Sequence, residues 1–483
     1  MNILCLVPSS KYSRNVARDL VYGCWCKGKR IGGITFPPLS LLSVATVLHN
    51  SGFNISLRDM AAEGLKTEDL RQEAIKSALL IILTSTMTFM EDVEIIKELK
   101  TFNPKLKTVA FGGHVTSEPE QSLRKGNFDF IVLREAEYAI RELAVALNNG
   151  DSFDNLKGIA CLKGDKFITT GNYPLIQDLD RLPIPDRSML PPVSYFNPVV
   201  KKTPYTTMFT SRGCFAECSF CASPGFYGKK YRMRSAKKVL EEMAYLSRLG
   251  FKEIFFRDEI FTASRKRVED ICRGLIEAEL KLSWICSSRI ESVDEALLQL
   301  MKKAGCHMIR FGVESGDDDI LKNIDKKLTV EEIRNAFKAS KNTGIDTHAH
   351  VMIGAPGETR KSIFKTFKLL KEILPTIITV GILTPYPGTP IFAELKQFQP
   401  SIEDGTDLTI EGLHTDSFYN NLFTGISEKE LSRQLRFFYR NYYINPKYIK
   451  NRLLSIKSFE NVKQLIRGGL NILDFSFKVS KFQ

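Results

Sequence analysis

Hydrophobic and polar positions alternate between two textures from the first residue to about residue 390. Short apolar runs recur at Asn2 to Val7, Asn54 to Arg58, Ala78 to Leu83, Thr108 to Phe111 and Phe128 to Leu133. Runs of this length, bounded by Gly, Pro, Asp or polar clusters, predict buried strands. Between them lie longer stretches with helical spacing: Pro38 to Ser51, Lys66 to Ser77, Phe89 to Thr101 and Glu137 to Leu147. Strands alternating with helices predict a parallel sheet covered on both faces, so residues 1–150 are expected to form a doubly wound α/β domain. Ligands of such sheets sit beyond the carboxyl ends of the strands. Thr84 and Ser85, then Gly112, Gly113 and His114, then Glu135 fall at those ends. Hydroxyls offer hydrogen bonds there and glycine permits close backbone approach.

The texture changes over residues 151–200. Ile159 to Leu162 and Lys166 to Thr169 predict a hairpin, while Leu182-Pro183-Ile184-Pro185 and Pro191-Pro192 cannot be helix interior. The segment reads as a proline-stiffened linker. From Tyr205 the alternation resumes, with strands expected at Tyr205 to Ser211, Glu253 to Asp258, Lys281 to Cys286, His307 to Val313, Thr347 to Ile353 and Ile377 to Leu383. The helix expected from Ser235 to Leu249 carries Val239, Leu240, Met243, Leu246 and Leu249 on one face. A second domain of six parallel strands is therefore expected over 201–395, followed by a mainly helical extension over 396–483.

At 483 residues the chain is too long for one ordinary domain. Its apolar runs fall far short of a membrane span. Ten cysteines scattered along a chain whose start lacks the basic region of a signal peptide argue for a reducing cytoplasm, not a disulfide framework. The net charge of +13 is partly local: from Leu431 to Gln483 there are eleven Lys and Arg against Glu460 and Asp474. Phe437, Phe438, Tyr439, Tyr442, Tyr443 and Tyr448 lie among them. Aromatic and cationic residues side by side suit an anionic bilayer surface, so weak peripheral membrane association and a lipid or other small-molecule substrate are expected.

The densest chemistry is Ser211-Arg212-Gly213-Cys214-Phe215-Ala216-Glu217-Cys218-Ser219-Phe220-Cys221. Cysteines at i, i+4 and i+7 in a short loop are expected to turn three thiolates toward one point. A closed structural zinc site needs a fourth ligand. An iron–sulfur cube held by three cysteines keeps one iron open. The strand, cysteine loop and helix in this order, with Arg212-Gly213 before the first cysteine and Phe220 before the last, resemble the radical S-adenosylmethionine (radical SAM) superfamily. The resemblance implies a partial (β/α)6 barrel and a 4Fe-4S cluster on Cys214, Cys218 and Cys221. It further implies SAM on the open iron, cleaved to a 5′-deoxyadenosyl radical by an electron from a donor such as flavodoxin or ferredoxin. Glu314 and Ser315 match the family's Glu-Ser-Gly turn, Arg289 is the candidate partner of the SAM carboxylate, and Gly354 to Gly357 match the loop near the adenine. Asp258 and Glu259 stand at the second strand end, where SAM or substrate contacts are expected. His348 and His350 share a strand face, pointing inward to substrate or packing.

The order Pro37-Pro38-Leu39-Ser40-Leu41-Leu42, Gly112-Gly113-His114 and Arg134-Glu135-Ala136-Glu137 resembles the cobalamin-binding domain that precedes many radical SAM barrels. This implies that Thr84, Ser85, Gly112, Gly113, His114 and Glu135 face cobalamin. Where other cobalamin domains carry Asp-x-His-x-x-Gly, this chain reads Pro8-Ser9-Ser10-Lys11, so no histidine is expected beneath the cobalt. Leu179 to Arg187 resembles the usual join between the two domains. Tyr22 to Gly33, with Cys24, Trp25 and Cys26, reads as a loop over cofactor or substrate. The family implies a cobalamin-dependent radical SAM methyltransferase acting on an unactivated carbon. The alternatives are a cyclase or rearrangement enzyme with the same cofactors, and a non-catalytic corrinoid- or SAM-binding regulator. Nucleic acid is not expected as a partner, because nothing reads as the small β-barrel that RNA-modifying relatives append.

Overall fold

The structure, a computed structural model, describes residues 1–11, 18, 34–406 and 422–454. The Tyr22 to Gly33 loop, Arg30 and Ile31 included, and the end of the basic tail from residue 455 lie outside these.

The N-terminal sheet has seven strands: β1 (Asn2–Val7), β2 (Asn54–Asp59), β3 (Leu79–Leu83), β4 (Lys107–Phe111), β5 (Phe130–Val132), β6 (Ile159–Lys163) and β7 (Lys166–Thr169). They are ordered β2-β1-β3-β4-β5-β6-β7. The first five are parallel, and β6 joins β5 antiparallel. The hairpin expected in the linker therefore forms, and it extends the sheet. Strand parity explains the two layers of helix. Ile3, Cys5, Leu79 and Ile81 pack with Leu41 and Leu143 on one face. Leu4, Leu6, Leu80 and Ile82 pack with Phe89 and Ile96 on the other. Strands buried on both faces read as continuous apolar runs, which is why they were visible in the sequence.

The second sheet is parallel throughout. Its strands are β8 (Tyr205–Met208), β11 (Glu253–Phe256), β12 (Ser283–Ser288), β13 (Cys306–Glu314), β14 (Asp346–Ile353) and β15 (Ile377–Ile382), ordered β15-β14-β13-β12-β11-β8. Met208, Phe256, Trp284 and Phe311 face the surrounding helices. Tyr205, Phe255, Ile285 and Met308 fill the floor of the concave face with Val199 and Val200. The first strand ends earlier than its apolar run suggested. Asp258 draws the chain aside by accepting the Thr210 N–H at 2.7 Å, and β9 (Ser211–Arg212) pairs antiparallel with β10 (Arg232–Met233). That ribbon launches the cysteine loop.

The tail aromatics pack on the barrel. Helix Glu428–Tyr443 covers the free edge of β15. The N–H of Ile378 donates to the Tyr443 hydroxyl at 3.1 Å, and that of Val380 to the Tyr439 hydroxyl at 3.0 Å. Four helical residues rise about 6 Å and two strand residues about 6.6 Å, so an i, i+4 tyrosine pair meets alternate edge amides. Tyr448 donates to Thr376 O at 3.0 Å, and Phe437 and Phe438 pack on Phe367. These rings are committed to the barrel. Replacing Tyr439 and Tyr443 by phenylalanine is expected to lower stability by about 1–2 kcal/mol each, since a buried donor is left unmatched. Urea unfolding that shows no change would remove this role.

Candidate active site

The carboxyl ends of the two sheets meet. Helix Gly113–Ser117 follows β4, and helix Ser223–Tyr227 follows the cysteine loop. A Cβ at Gly388, beyond β15, would lie 2.3 Å from the Ser117 hydroxyl, and one at Gly225 would lie 2.9 Å from the Gly388 carbonyl. Bare backbone is what lets the segments approach. Buried charge completes the junction. Arg212 pairs with Glu135 at 3.1 Å and with Glu137, and Arg232 pairs with Glu135 at 2.9 Å. Glu135 also accepts the Ile176 N–H at 2.7 Å. Both Glu135 oxygens are thus engaged within the protein, and the carboxylate expected at cobalamin instead ties one domain to the other.

Cys218 is buried, and Cys214 and Cys221 are partly exposed. The loop can turn because Gly213 has φ +85°, where an added Cβ would meet the Lys230 carbonyl at 2.5 Å. Among the described residues, no three Cys, His, Asp or Glu side chains converge on a point that would suit a single metal ion. The three thiols lie near enough to act on one another's charge. A cube presents its irons at separate corners and keeps one of them open, so three cysteines in one loop suit it better than they suit a closed zinc site. Burial pushes the Cys221 thiol up to about 12 and raises that of Cys214. Coordination would be needed to hold such thiols as thiolates.

Arg289 brings Nη1 to 3.9 Å from the Cys218 sulfur, and its other donors engage Glu291 and the Lys326 carbonyl. Lys326 is buried and pairs with Glu314 at 2.8 Å. Glu314 itself sits at φ +61°, turning the chain off β13. Ser315 is spent on that turn, with its hydroxyl 3.2 Å from that of Thr366 and accepting the Asp317 N–H at 3.2 Å. Gly354 (φ +84°) donates its N–H to Glu358, and Gly357 (φ +75°) donates to Phe423 O at 2.9 Å. Asp258 accepts from Thr210 and, at 2.7 Å, from Ser211, so it shapes the loop and offers little to a ligand. Its neighbour Glu259 differs: burial pushes its carboxyl up to about 8, and its Oε2 has no hydrogen-bond partner among the described residues. Of the two acids at this strand end, Glu259 is the one left with acceptor capacity.

At the N-terminal sheet, Thr84 donates to Asp92 at 2.7 Å, and Ser85 and Thr88 lie 2.9 Å apart. Gly112 (φ +134°) passes so close to Thr84 that a Cβ would lie 2.2 Å from its carbonyl, while the Cβ position of Gly113 faces open space. His114 is buried against Phe89, ring centroids 4.7 Å apart. Neither ring nitrogen has a partner among the described residues, and burial lowers its pKa to about 4. Arg18 pairs with Asp92 at 2.7 Å and donates to the Pro8 carbonyl at 2.6 Å, fixing the loop after β1. Sequence reading missed Arg18, Asp92 and Lys326. Asp92 had a signal, the i, i+4, i+8 spacing of Thr84, Thr88 and Asp92, whereas Lys326 lies in an ordinary basic pair.

A three-cysteine loop at the head of an open parallel barrel defines a radical SAM enzyme class, and comparison with known proteins agrees. The profile of the Radical SAM superfamily matches residues 208–370, and that of the B12 binding domain matches residues 32–144. An uncharacterized methyltransferase from Pyrococcus horikoshii is 31% identical over 449 residues, 92% of this chain and 95% of its own. The anaerobic magnesium-protoporphyrin IX monomethyl ester cyclase of Rubrivivax gelatinosus is 29% identical over 76% of this chain and 68% of its own. The solved structure of the radical S-adenosylmethionine methyltransferase TsrM from Kitasatospora setae, with cobalamin and a [4Fe-4S] cluster bound, superposes with a TM-score of 0.73. It covers 99% of each chain at 16% identity, a likeness of fold. The chain belongs to the radical SAM superfamily, in the branch that carries a B12-binding domain ahead of the barrel.

Proposed function

We propose that this protein is a cobalamin-dependent radical SAM methyltransferase that acts on an unactivated carbon of a small molecule. The observation that carries this reading is the junction itself: the carboxyl ends of a B12-type sheet abut the cysteine loop of the barrel. Bound there, the cluster with SAM would supply a carbon-centred hydrogen abstractor, and the corrinoid would supply the methyl group. Cys214, Cys218 and Cys221 would hold the cluster. The vacant Oε2 of Glu259 suits the ammonium of SAM, and Arg289 suits its carboxylate. Thr84, Ser85, Gly112 and Gly113 line the cobalamin side, with His114 in the wall behind them. Glu135 keeps the junction closed. Electrons would come from a flavodoxin- or ferredoxin-type donor. No helix among the described residues is long and apolar enough to cross a membrane. Because the tyrosine rings face the barrel, attachment to an anionic surface would fall to the tail's cations alone.

The names of the relatives favour methyl transfer first and cyclisation second. Anaerobically reconstituted enzyme, incubated with reductant and candidate substrates, separates the readings. S-Adenosylhomocysteine together with 5′-deoxyadenosine supports methyl transfer, 5′-deoxyadenosine alone supports cyclisation or rearrangement, and neither product supports the regulator. Ser9 and Ser10 stand where other cobalamin domains place a histidine, so electron paramagnetic resonance of the cobalt(II) form is expected to show no nitrogen splitting from below. A resolved splitting would overturn the histidine-free site.

A further inference from the structure

The outer wall of the cysteine loop is built differently from its inner one. Inward, Cys218 meets Arg289. On one flank the chain runs into helix Ser223–Tyr227, which lies against helix Gly113–Ser117. The opposite flank faces solvent. Phe215, the residue after Cys214, is 50% exposed. A single exposed aromatic needs no explanation, but this one is ringed by charge. Glu217 pairs with Lys229 at 2.7 Å and with Lys327 at 3.6 Å, and both lysines keep most of their side-chain surface in solvent. Lys230 is exposed beside them, its carbonyl against Gly213.

These lysines come from two segments far apart in the chain. The Ser219 N–H donates to the Ile324 carbonyl at 3.2 Å, which lays the turn 324–328 along the cysteine loop. Asp325 (φ +52°) and Lys327 (φ +51°) take left-handed backbone there, which residues with side chains adopt at a cost. The turn sends Lys326 inward to Glu314 and Lys327 outward to Glu217. Three exposed lysines thus face one carboxylate, while Lys322 and Asp325, exposed nearby, offset each other. An aromatic centre within a charged rim is the anatomy of a protein interface. Exposed ion pairs add little to folding, so exchanging Glu217 for a partner's carboxylates costs the loop little. A protein seated here would stand one residue from a cluster ligand. A flavin is flat and aromatic, and Phe215 can stack on it or meet its edge. The lysines match a ring of acidic side chains around such a flavin.

We propose that Phe215, Lys229, Lys230 and Lys327 form the docking surface for the electron donor, a flavodoxin-type protein with an acidic face. This rests on the radical SAM reading above and gives its donor a chemistry and a place. The anionic reduced flavin of the donor gives one electron to the oxidised cluster on Cys214, Cys218 and Cys221. The flavin becomes its neutral radical, so no proton moves and no bond forms or breaks.

The test titrates an oxidised flavodoxin of strongly acidic surface into the reconstituted enzyme by calorimetry at several salt concentrations. Saturable binding that weakens as salt rises is expected. The double variant K229E/K327E should bind about tenfold more weakly. F215S should bind more weakly at every salt concentration, and E217Q more tightly than wild type. No saturable binding, or equal binding by K229E/K327E and wild type, would overturn the surface. Should a variant fail to fold, carbodiimide coupling of flavodoxin carboxylates to lysines of the unaltered enzyme decides it. Cross-links at Lys229, Lys230 or Lys327 support the surface, and cross-links only elsewhere refute it. 5′-Deoxyadenosine is then assayed with reduced flavodoxin and, separately, with dithionite. Binding that depends on these lysines, without product from either reductant, keeps the surface and removes the radical reading. Product from dithionite without flavodoxin binding removes the surface alone.

Discussion

Replacing Cys214, Cys218 and Cys221 together by alanine is expected to leave a folded protein with no iron–sulfur cluster and no formation of 5′-deoxyadenosine. Iron and sulfide should fall from about four each per chain, the content of one cubane, to background. The loss should be complete, because the three thiols of this loop would supply all of the cluster's protein ligands. The fold should survive. Two of the three thiols are partly exposed, and the loop's course is set by Gly213, by the β9–β10 ribbon and by Asp258. Surface changes of this kind usually move stability by no more than about 0.5 kcal/mol, with the buried Cys218 adding somewhat more. Circular dichroism and thermal unfolding of the cluster-free wild type are the reference. A triple variant that keeps iron and cleaves SAM would show that the loop is not the site.

Much of the architecture was legible because the central strands of both sheets are largely buried on both faces. Apolar runs such as Leu79–Leu83 cannot hide in such a fold, and the residues after each run fall at the carboxyl ends by construction. What sequence could not resolve was which polar strand-end residues turn toward a ligand and which turn toward the protein. Asp258 and Glu259 are adjacent acids with opposite fates, one satisfied by Thr210 and Ser211 and the other left with an open oxygen. Glu135 read as a ligand contact because it ends a strand, but its partners Arg212 and Arg232 come from 77 and 97 residues away. No local pattern encodes a pair at that separation. The packing of the tail's rings was hidden for the same reason. Tyr439 and Tyr443 have the composition of a membrane face, and only the position of the β15 edge shows that their hydroxyls answer backbone amides.

The second large effect is expected at Arg212, which stands two residues before Cys214 and carries the contact between domains. Glu137 is fully enclosed. Burial pushes its carboxyl up, but Arg212, with help from Ser43, outweighs that and holds it below the ordinary glutamate range. Arg212→Met removes the partner and leaves that carboxylate buried alone, a change that costs about 3–5 kcal/mol in comparable buried pairs. Adding Glu137→Gln should recover part of the loss, because no unpaired charge then remains. The pH dependence has a definite sign. A folded-state pKa below the unfolded one stabilises the wild type fully above about pH 4.3, the unfolded glutamate value, and the benefit fades as pH falls through the folded pKa. In Arg212→Met the unpaired Glu137 should titrate above its unfolded value, so acid relieves the variant while it weakens the wild type. The stability gap measured by denaturant unfolding should therefore be widest near pH 7 and narrow toward pH 4. Because Arg212 is continuous with the cysteine loop, the variant should also lose cluster faster under chelation than wild type at equal temperature. A gap that is absent at pH 7, or that widens in acid, would show that Arg212 and Glu137 do not hold the two carboxyl ends together.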